Sequence, residues 1–169
     1  MRLIGEATDV KALQRLIDLA QIVTYVDENV DGTTLAALAR PSQLPSGVDI
    51  LSVTQDRYLE KVFLDDLNMN ILPYAQVVTP KDIAAAVETV GFPSILKPIQ
   101  KGIGVDQQLR LTQPEDVHRA EQLLQQRPYV LEAWLDSPIE YSVLVAKAEG
   151  TVQVMPVVEN RFEHHTLRA

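Results

Sequence analysis

Cysteine is absent from the 169-residue chain. That excludes disulfides and thiolate metal sites, and it fits a reducing cytoplasm. No apolar run approaches the roughly 20 residues that a membrane-spanning helix needs. The opening residues, MRLIGEATDV, have neither the charged start nor the apolar core of a signal peptide, so a cytoplasmic protein is expected. Basic residues are in deficit: 15 Lys and Arg stand against 23 Asp and Glu, a net charge of −8. This balance argues against non-specific nucleic-acid binding. It does not argue against nucleotides, which need only a local cationic site. Internal repeats and low-complexity tracts are also lacking.

What is present is an ordinary globular composition, 46% hydrophobic and 22% charged. Thr8 or Asp9 can cap a helix reading VKALQRLIDLA, with Val10, Leu13, Leu16 and Ile17 on one face. Gln21 to Val26, QIVTYV, has the β-branched content of a strand. Asp31-Gly32 and Thr33 open a short helix, TLAALAR, before Pro41 and Pro45 interrupt the chain. Residues 48–54 are ambiguous by periodicity. Gln55 to Leu67 is amphipathic: Leu59, Val62, Phe63 and Leu67 share an apolar face, and Arg57, Glu60, Lys61, Asp65 and Asp66 lie on the face expected to be exposed.

From Pro73 the pattern becomes strand, helix, strand, strand, helix, strand. The strands are Gln76 to Thr79, Pro93 to Pro98, Gln107 to Leu111 and Tyr129 to Trp134. The helices start at Thr79-Pro80 and at Thr112, and Gly91 ends the first. One sheet covered by two helices is expected. Two longer strands follow, Glu140 to Lys147 and Thr151 to Glu159, joined by a hairpin at Ala148-Glu149-Gly150. The fold class is therefore α/β and α+β. The expected divisions are an α/β segment at 1–54, a connecting helix at 55–72, an α+β lobe at 73–134, and the beginning of another lobe at 135–169.

Several residues can carry chemistry, and each has two readings. Lys97 ends an apolar strand beside a loop containing Gly102 and Gly104. It is either a solvated charge or a phosphate ligand, since phosphate binding needs a fixed cation and a backbone that can approach closely. The glycines mark either a turn or an anion-binding loop. Glu132, inside YVLEAW, and Glu140, at the head of the next strand, are either solvated or paired for a purpose. Arg57 reads as a surface ion-pair former, and Trp134 as core rather than a stacking platform. His164 and His165 are adjacent, so on an extended chain they point to opposite sides and make poor partners for one metal ion.

The order of these residues is more informative than any one of them. The runs QIVTYVDENV, QDRYLEKVFLDDLNM, FPSILKPIQKG, YVLEAWLDSPIEYSVLVA and VMPVVENRFEHHTLRA together resemble the 5-(carboxyamino)imidazole ribonucleotide synthase family along essentially the whole chain. This is the ATP-dependent carboxylase of purine biosynthesis. The resemblance implies an incomplete ATP-grasp fold: a partial Rossmann-like segment, a small ATP-binding lobe, and the start of the large C-terminal lobe. It implies that Arg57 contacts ATP and that Lys97 reaches the phosphates beside the glycine at 102. Glu132, Ala133, Trp134 and Leu135 would form the hinge passing the adenine, with Leu135 packed on the base, and Glu140 would bind the ribose hydroxyls. An acidic acceptor suits a diol, a cation suits phosphate, and an apolar strand edge suits a purine. The implied cofactors are ATP and Mg2+, the implied substrates bicarbonate and aminoimidazole ribonucleotide, and a homodimer is expected.

Departures from the family pattern are equally specific. Where the family loop resembles G-G-Y-D-G-K-G-Q, this chain has Lys101-Gly102-Ile103-Gly104-Val105-Asp106-Gln107-Gln108, with only Gly102 and Gln108 in register. A family histidine aligns with Phe162, leaving His164 and His165 out of register. A first strand and glycine-rich turn would precede Met1, and the magnesium-binding carboxylates would follow Ala169. Catalytic residues and metal ligands are therefore not assigned within the chain. A degenerate fragment that binds nucleotide weakly or not at all is the rival expectation, and an ATP-grasp ligase acting on a different acid is a third.

Overall fold

A computed structural model describes residues 2–6, 8–26, 28–102, 107–163 and 166–168. The loop residues 103–106 and the pair His164-His165, both singled out by sequence, lie outside the described residues. The chain divides into two compact units, Met1–Trp134 and Leu135–Ala169.

The first unit opens with α1 (Val10–Leu19), and Asp9 caps it, its carboxylate accepting from the Lys11 and Ala12 amides. Leu13 and Ile17 are buried, whereas Val10 and Leu16, expected on the same face, are exposed. α2 (Gly32–Leu38) is capped by Asp31, which accepts from both the amide and the hydroxyl of Thr34. Ile17, Val23, Leu35 and Leu44 form a small core here. Residues 21–26 are not a strand, against expectation. They are held by a bond from the Val23 amide to the Gln43 carbonyl, and no described segment pairs with them in a ladder. β-branched residues favour extended backbone, but a strand also needs a neighbour. Gln43 is buried because its side-chain amide donates to the carbonyls of Ile17 and Ala20 at the end of α1.

The ambiguous stretch 48–54 is helical, α3 (Asp49–Thr54), and is followed by α4 (Arg57–Asp66), capped by Asp56. The faces of α4 differ in part from those expected: Asp65 and Asp66 are exposed and Val62 is half-buried, as the pattern implies, but other positions are exchanged. Leu59, Phe63 and Leu67 are exposed, while Arg57, Glu60 and Lys61 are half-buried and make contacts across the unit. Polar partners decided the outcome: three charged side chains on one face each find a group that satisfies them.

The strand and helix order expected from Pro73 onward is found. β1 (Tyr74–Val77), α5 (Ile83–Val90), β2 (Ser94–Pro98), β3 (Leu109–Leu111), α6 (Val117–Leu123) and β4 (Tyr129–Ala133) build an antiparallel sheet in the order β1-β4-β2-β3. Both helices begin alike, after a single 3-10 turn. Asp82 accepts from the amide and hydroxyl of Thr79, and Asp116 from the amide and hydroxyl of Thr112. Gly91, at φ 83°, terminates α5. One face of the sheet is dry: Val77, Leu96, Leu109, Leu111, Tyr129 and Leu131 pack with Ile83, Ala86, Ala120 and Leu124. Strand alternation places every second residue on the opposite face, and that face carries the candidate site.

The second unit holds a sheet of β5 (Glu140–Ser142), β8 (Val158–Glu163) and β9 (Thr166–Arg168), and a ribbon of β6 (Val145–Ala148) and β7 (Thr151–Val154). The expected hairpin is present. Glu149 and Gly150 both have positive φ, 49° and 80°, and Ala148 pairs with Thr151, as a two-residue primed turn requires. The two long strands expected here are each broken in two. Pro156, which lacks an amide donor, falls between β7 and β8.

Candidate functional site

The sheet registers set one row across the face opposite α5 and α6: Tyr74 opposite Glu132, Glu132 opposite Ile95, and Ile95 opposite Arg110. Lys97 lies two residues beyond Ile95, on the same face. Glu132 is not a solvated strand carboxylate. Its side chain is 9% exposed, and its Oε2 is shared by the ammonium groups of Lys97, at 3.2 Å, and Lys61, at 3.3 Å. Two cations on one carboxylate leave a surplus positive charge at the mouth of the loop after β2, in a chain of net charge −8. Lys61 was missed by sequence reasoning because helical periodicity put it on a face expected to be bare.

Arg57 stands at the start of α4 and donates from Nη1 to the carbonyls of Pro98, at 3.0 Å, and Gln100, at 3.4 Å. Its amide donates to the Ile99 carbonyl, Asp56 bridges to Gln100, and the Lys101 amide donates to the Gln55 carbonyl. The helix start is thus fastened to the segment that follows Lys97. The guanidinium has five donors, so these contacts do not exhaust it. Lys101 pairs with Glu60 at 2.8 Å. Gly102, at φ 81°, lies against Asn29 so closely that a Cβ would collide with the Asn29 side-chain amide. Glycine is favoured there by its positive φ, and any larger residue would also have to displace the Asn29 side chain.

At the far end of the row, the Arg110 guanidinium lies 4.4 Å from the ring centroid of Trp134. The tryptophan, expected in the core, is a half-buried stacking platform. The amides of Ala133 and Trp134 donate to the carbonyls of Pro73 and Pro93. A base at this strand end would therefore be read through other backbone groups. The first unit brings Arg57, Lys97 and Glu132 together, with Ala133 ending the same strand and Trp134 just beyond it. Leu135 and Glu140 belong to the second unit, where both are exposed and Glu140 pairs in register with Asn160. Among the described residues no group of three His, Cys, Asp or Glu side chains could hold a metal ion. Glu132 is already committed to two lysines, so the described residues do not supply a magnesium site.

This combination is an antiparallel sheet backed by two helices, a strand-end lysine on the open face, and a glycine-containing loop beside it. The ATP-grasp domain pattern matches residues 62–169, and the chain belongs to the ATP-grasp family. The relatives it resembles are N5-carboxyaminoimidazole ribonucleotide synthases. That of Bacillus subtilis is 29% identical over 160 residues, which is 94% of this chain and 42% of that protein. The structure of the Staphylococcus aureus synthetase complexed with ADP superposes with a TM-score of 0.84 at 27% identity, covering 96% of this chain and 44% of that one. The Thermus thermophilus enzyme gives 0.83 at 30% identity, covering 98% and 45%. The incomplete ATP-grasp fold expected from sequence is the fold found. The chain spans less than half the length of the relatives it matches.

Proposed function

We infer that this chain binds ATP on the open face of the β1–β4 sheet and serves the ATP-dependent carboxylation of 5-aminoimidazole ribonucleotide in de novo purine biosynthesis. The observation that carries the reading is the cationic cluster of Lys97 and Lys61 on Glu132, with Arg57 beside the loop that follows. The resemblance assigns Lys97 to the ATP phosphates and Arg57 to ATP, and a cationic cluster suits that ligand.

In this reaction an oxygen of bicarbonate attacks the γ-phosphorus of ATP. The bond from that phosphorus to the β-γ bridging oxygen breaks, giving ADP and carboxyphosphate. The exocyclic amine of the ribonucleotide then forms an N–C bond to the carboxyl carbon. Phosphate leaves with the C–O bonding pair, and the amine proton passes to it. Catalysis of this kind is mostly positioning and charge neutralisation. Lys97 and Arg57 supply positive charge to the phosphates, and Gly102 lets backbone approach them. Residues 132–134 of the first unit pass the adenine. The family pattern assigns Leu135 to the base and Glu140 to the ribose hydroxyls. No step is assigned to a metal ion held by the described residues. The setting proposed is a cytoplasmic homodimer, and no described helix is long and apolar enough to cross a membrane.

The test is calorimetric titration of MgATP into the 169-residue chain, followed by an assay of ADP formation dependent on bicarbonate and aminoimidazole ribonucleotide. Micromolar binding that is lost in Lys97→Ala supports the nucleotide site, and substrate-dependent ADP supports the carboxylation. A folded chain that ignores ATP overturns both.

A further inference from the structure

We propose that Lys61 is a positioning residue for the nucleotide site, a resident counter-ion that holds Glu132 so that Lys97 can leave it for phosphate. The inference rests on the ATP-binding reading above and adds a residue that the family pattern did not assign in this chain.

The argument starts from charge. Glu132 is one carboxylate, 9% exposed, and one cation is enough to neutralise it; here two ammonium groups meet the same oxygen. A nearly buried carboxylate cannot be left without a cation except at a large cost. One lysine must therefore stay, and the other is available. Their surroundings differ. Lys61 is the less exposed, 17% against 27% for Lys97. It projects from α4, a helix fastened at its start by the Arg57, Asp56 and Glu60 contacts to residues 98–101. Lys97 lies at the end of β2, one residue before Pro98, beside the loop that leads to Gly102. Lys97 can exchange carboxylate for phosphate while Lys61 keeps Glu132 satisfied. Without Lys61, an incoming triphosphate would have to pull Lys97 from a carboxylate that has lost one of its two lysines, and affinity would fall. Lys61 acts through Glu132 and does not need to touch the ligand.

The experiment has two arms on the full chain. The first maps the rate of reductive methylation of Lys97 by mass spectrometry without nucleotide. Lys61→Met should slow it, because Lys97 becomes the sole partner of Glu132. Lys61→Met with Glu132→Gln should raise it above wild type. The second arm measures ATP affinity. Lys61→Met should weaken binding roughly fivefold or more, the lower range of coupling between interacting sites. The double variant should bind ATP more tightly than Lys61→Met alone, because Lys97 is then held by no carboxylate at 132. The loss should persist at about 0.3 M salt, where long-range attraction to phosphate is screened. Lys61→Arg retains the charge and should stay near wild type, which separates the effect from misfolding. A Lys97 methylation rate indifferent to Lys61→Met overturns the proposal, as does a slowed rate with unchanged ATP affinity. A wild-type chain that binds no ATP overturns the function itself, and the positioning role with it, whatever the methylation shows.

Discussion

The strands of the β1–β4 sheet and those of the second unit are built from similar residues and have opposite fates. In the first sheet, Val77, Leu96, Leu111, Tyr129 and Leu131 are shut away from water. In the second unit, Tyr141, Val145, Val152, Val154 and Val158 are all exposed. The local patterns are alike, alternating and β-branched, and both sets pair into antiparallel ladders. What separates them is a second layer. α5 and α6 lie on the first sheet, and no described helix lies within 135–169. Strand formation is a property of pairing, whereas burial is a property of what packs on the pair.

The sharpest way to break this contrast is by truncation. Leu131→Ala removes a fully buried side chain from the first core and should lower the unfolding free energy by about 3 kcal/mol in urea titration. Val152→Ala, in an exposed strand, should change it by less than about 0.5 kcal/mol. Equal effects would mean that the second unit has a hidden packing partner in solution.

The second test moves to the open face. Lys97→Ala should weaken ATP about ten- to a hundredfold, the worth of one charge-assisted contact. Its effect on urea stability should be small, because Lys61 still neutralises Glu132. A stability loss as large as that of Leu131→Ala would make the cluster a structural ion pair and would undercut the nucleotide site.

A third, gentler probe uses the helix starts that only the first lobe possesses. Hydrogen bonds from the Thr79 and Thr112 amides, then from their hydroxyls, hold the Asp82 and Asp116 carboxyls below the ordinary value of 3.8. The sign follows from that depression. The stabilising contribution is fully present above the ordinary value and is lost as pH falls below about 3.8 through the lowered folded values. Asp82→Asn with Asp116→Asn should therefore flatten the fall of the thermal midpoint below pH 4. The exposed strands of the second unit should be indifferent to the change.

Much of this was legible in the sequence, and the failures share a cause. The caps at Asp31 and the turn at Glu149-Gly150 are local, and so is the run of strands and helices from Pro73. Each could be read from residues within a few positions. The errors at 21–26, at α4 and at Trp134 all concern partners distant in the chain. QIVTYV has the composition of a strand, and whether a ladder forms is decided elsewhere. Arg57 and Lys61 look solvated until Pro98, Gln100 and Glu132 are brought beside them. The candidate site was picked out through the order of its residues, yet the charge balance of the cluster depends on Lys61, which helical periodicity puts on the exposed face.

That misplaced face gives the smallest and most discriminating prediction. Leu59, Phe63 and Leu67 are exposed on α4, while its charged face is engaged with the first sheet. If burial follows the second layer rather than the helix pattern, Phe63→Ser should leave the urea stability within about 0.5 kcal/mol of wild type, as for any exposed position. Lys61→Met on the opposite face should cost more than Phe63→Ser, despite replacing a charge with an apolar side chain, because the half-buried face of α4 then loses its ion pair to the sheet. Helical periodicity alone forecasts the reverse order, since it takes Phe63 for core and Lys61 for surface. The ranking of these two substitutions in one denaturation series separates a helix placed by its apolar stripe from one placed by its charges, and the contacts of Arg57, Glu60 and Lys61 favour the latter.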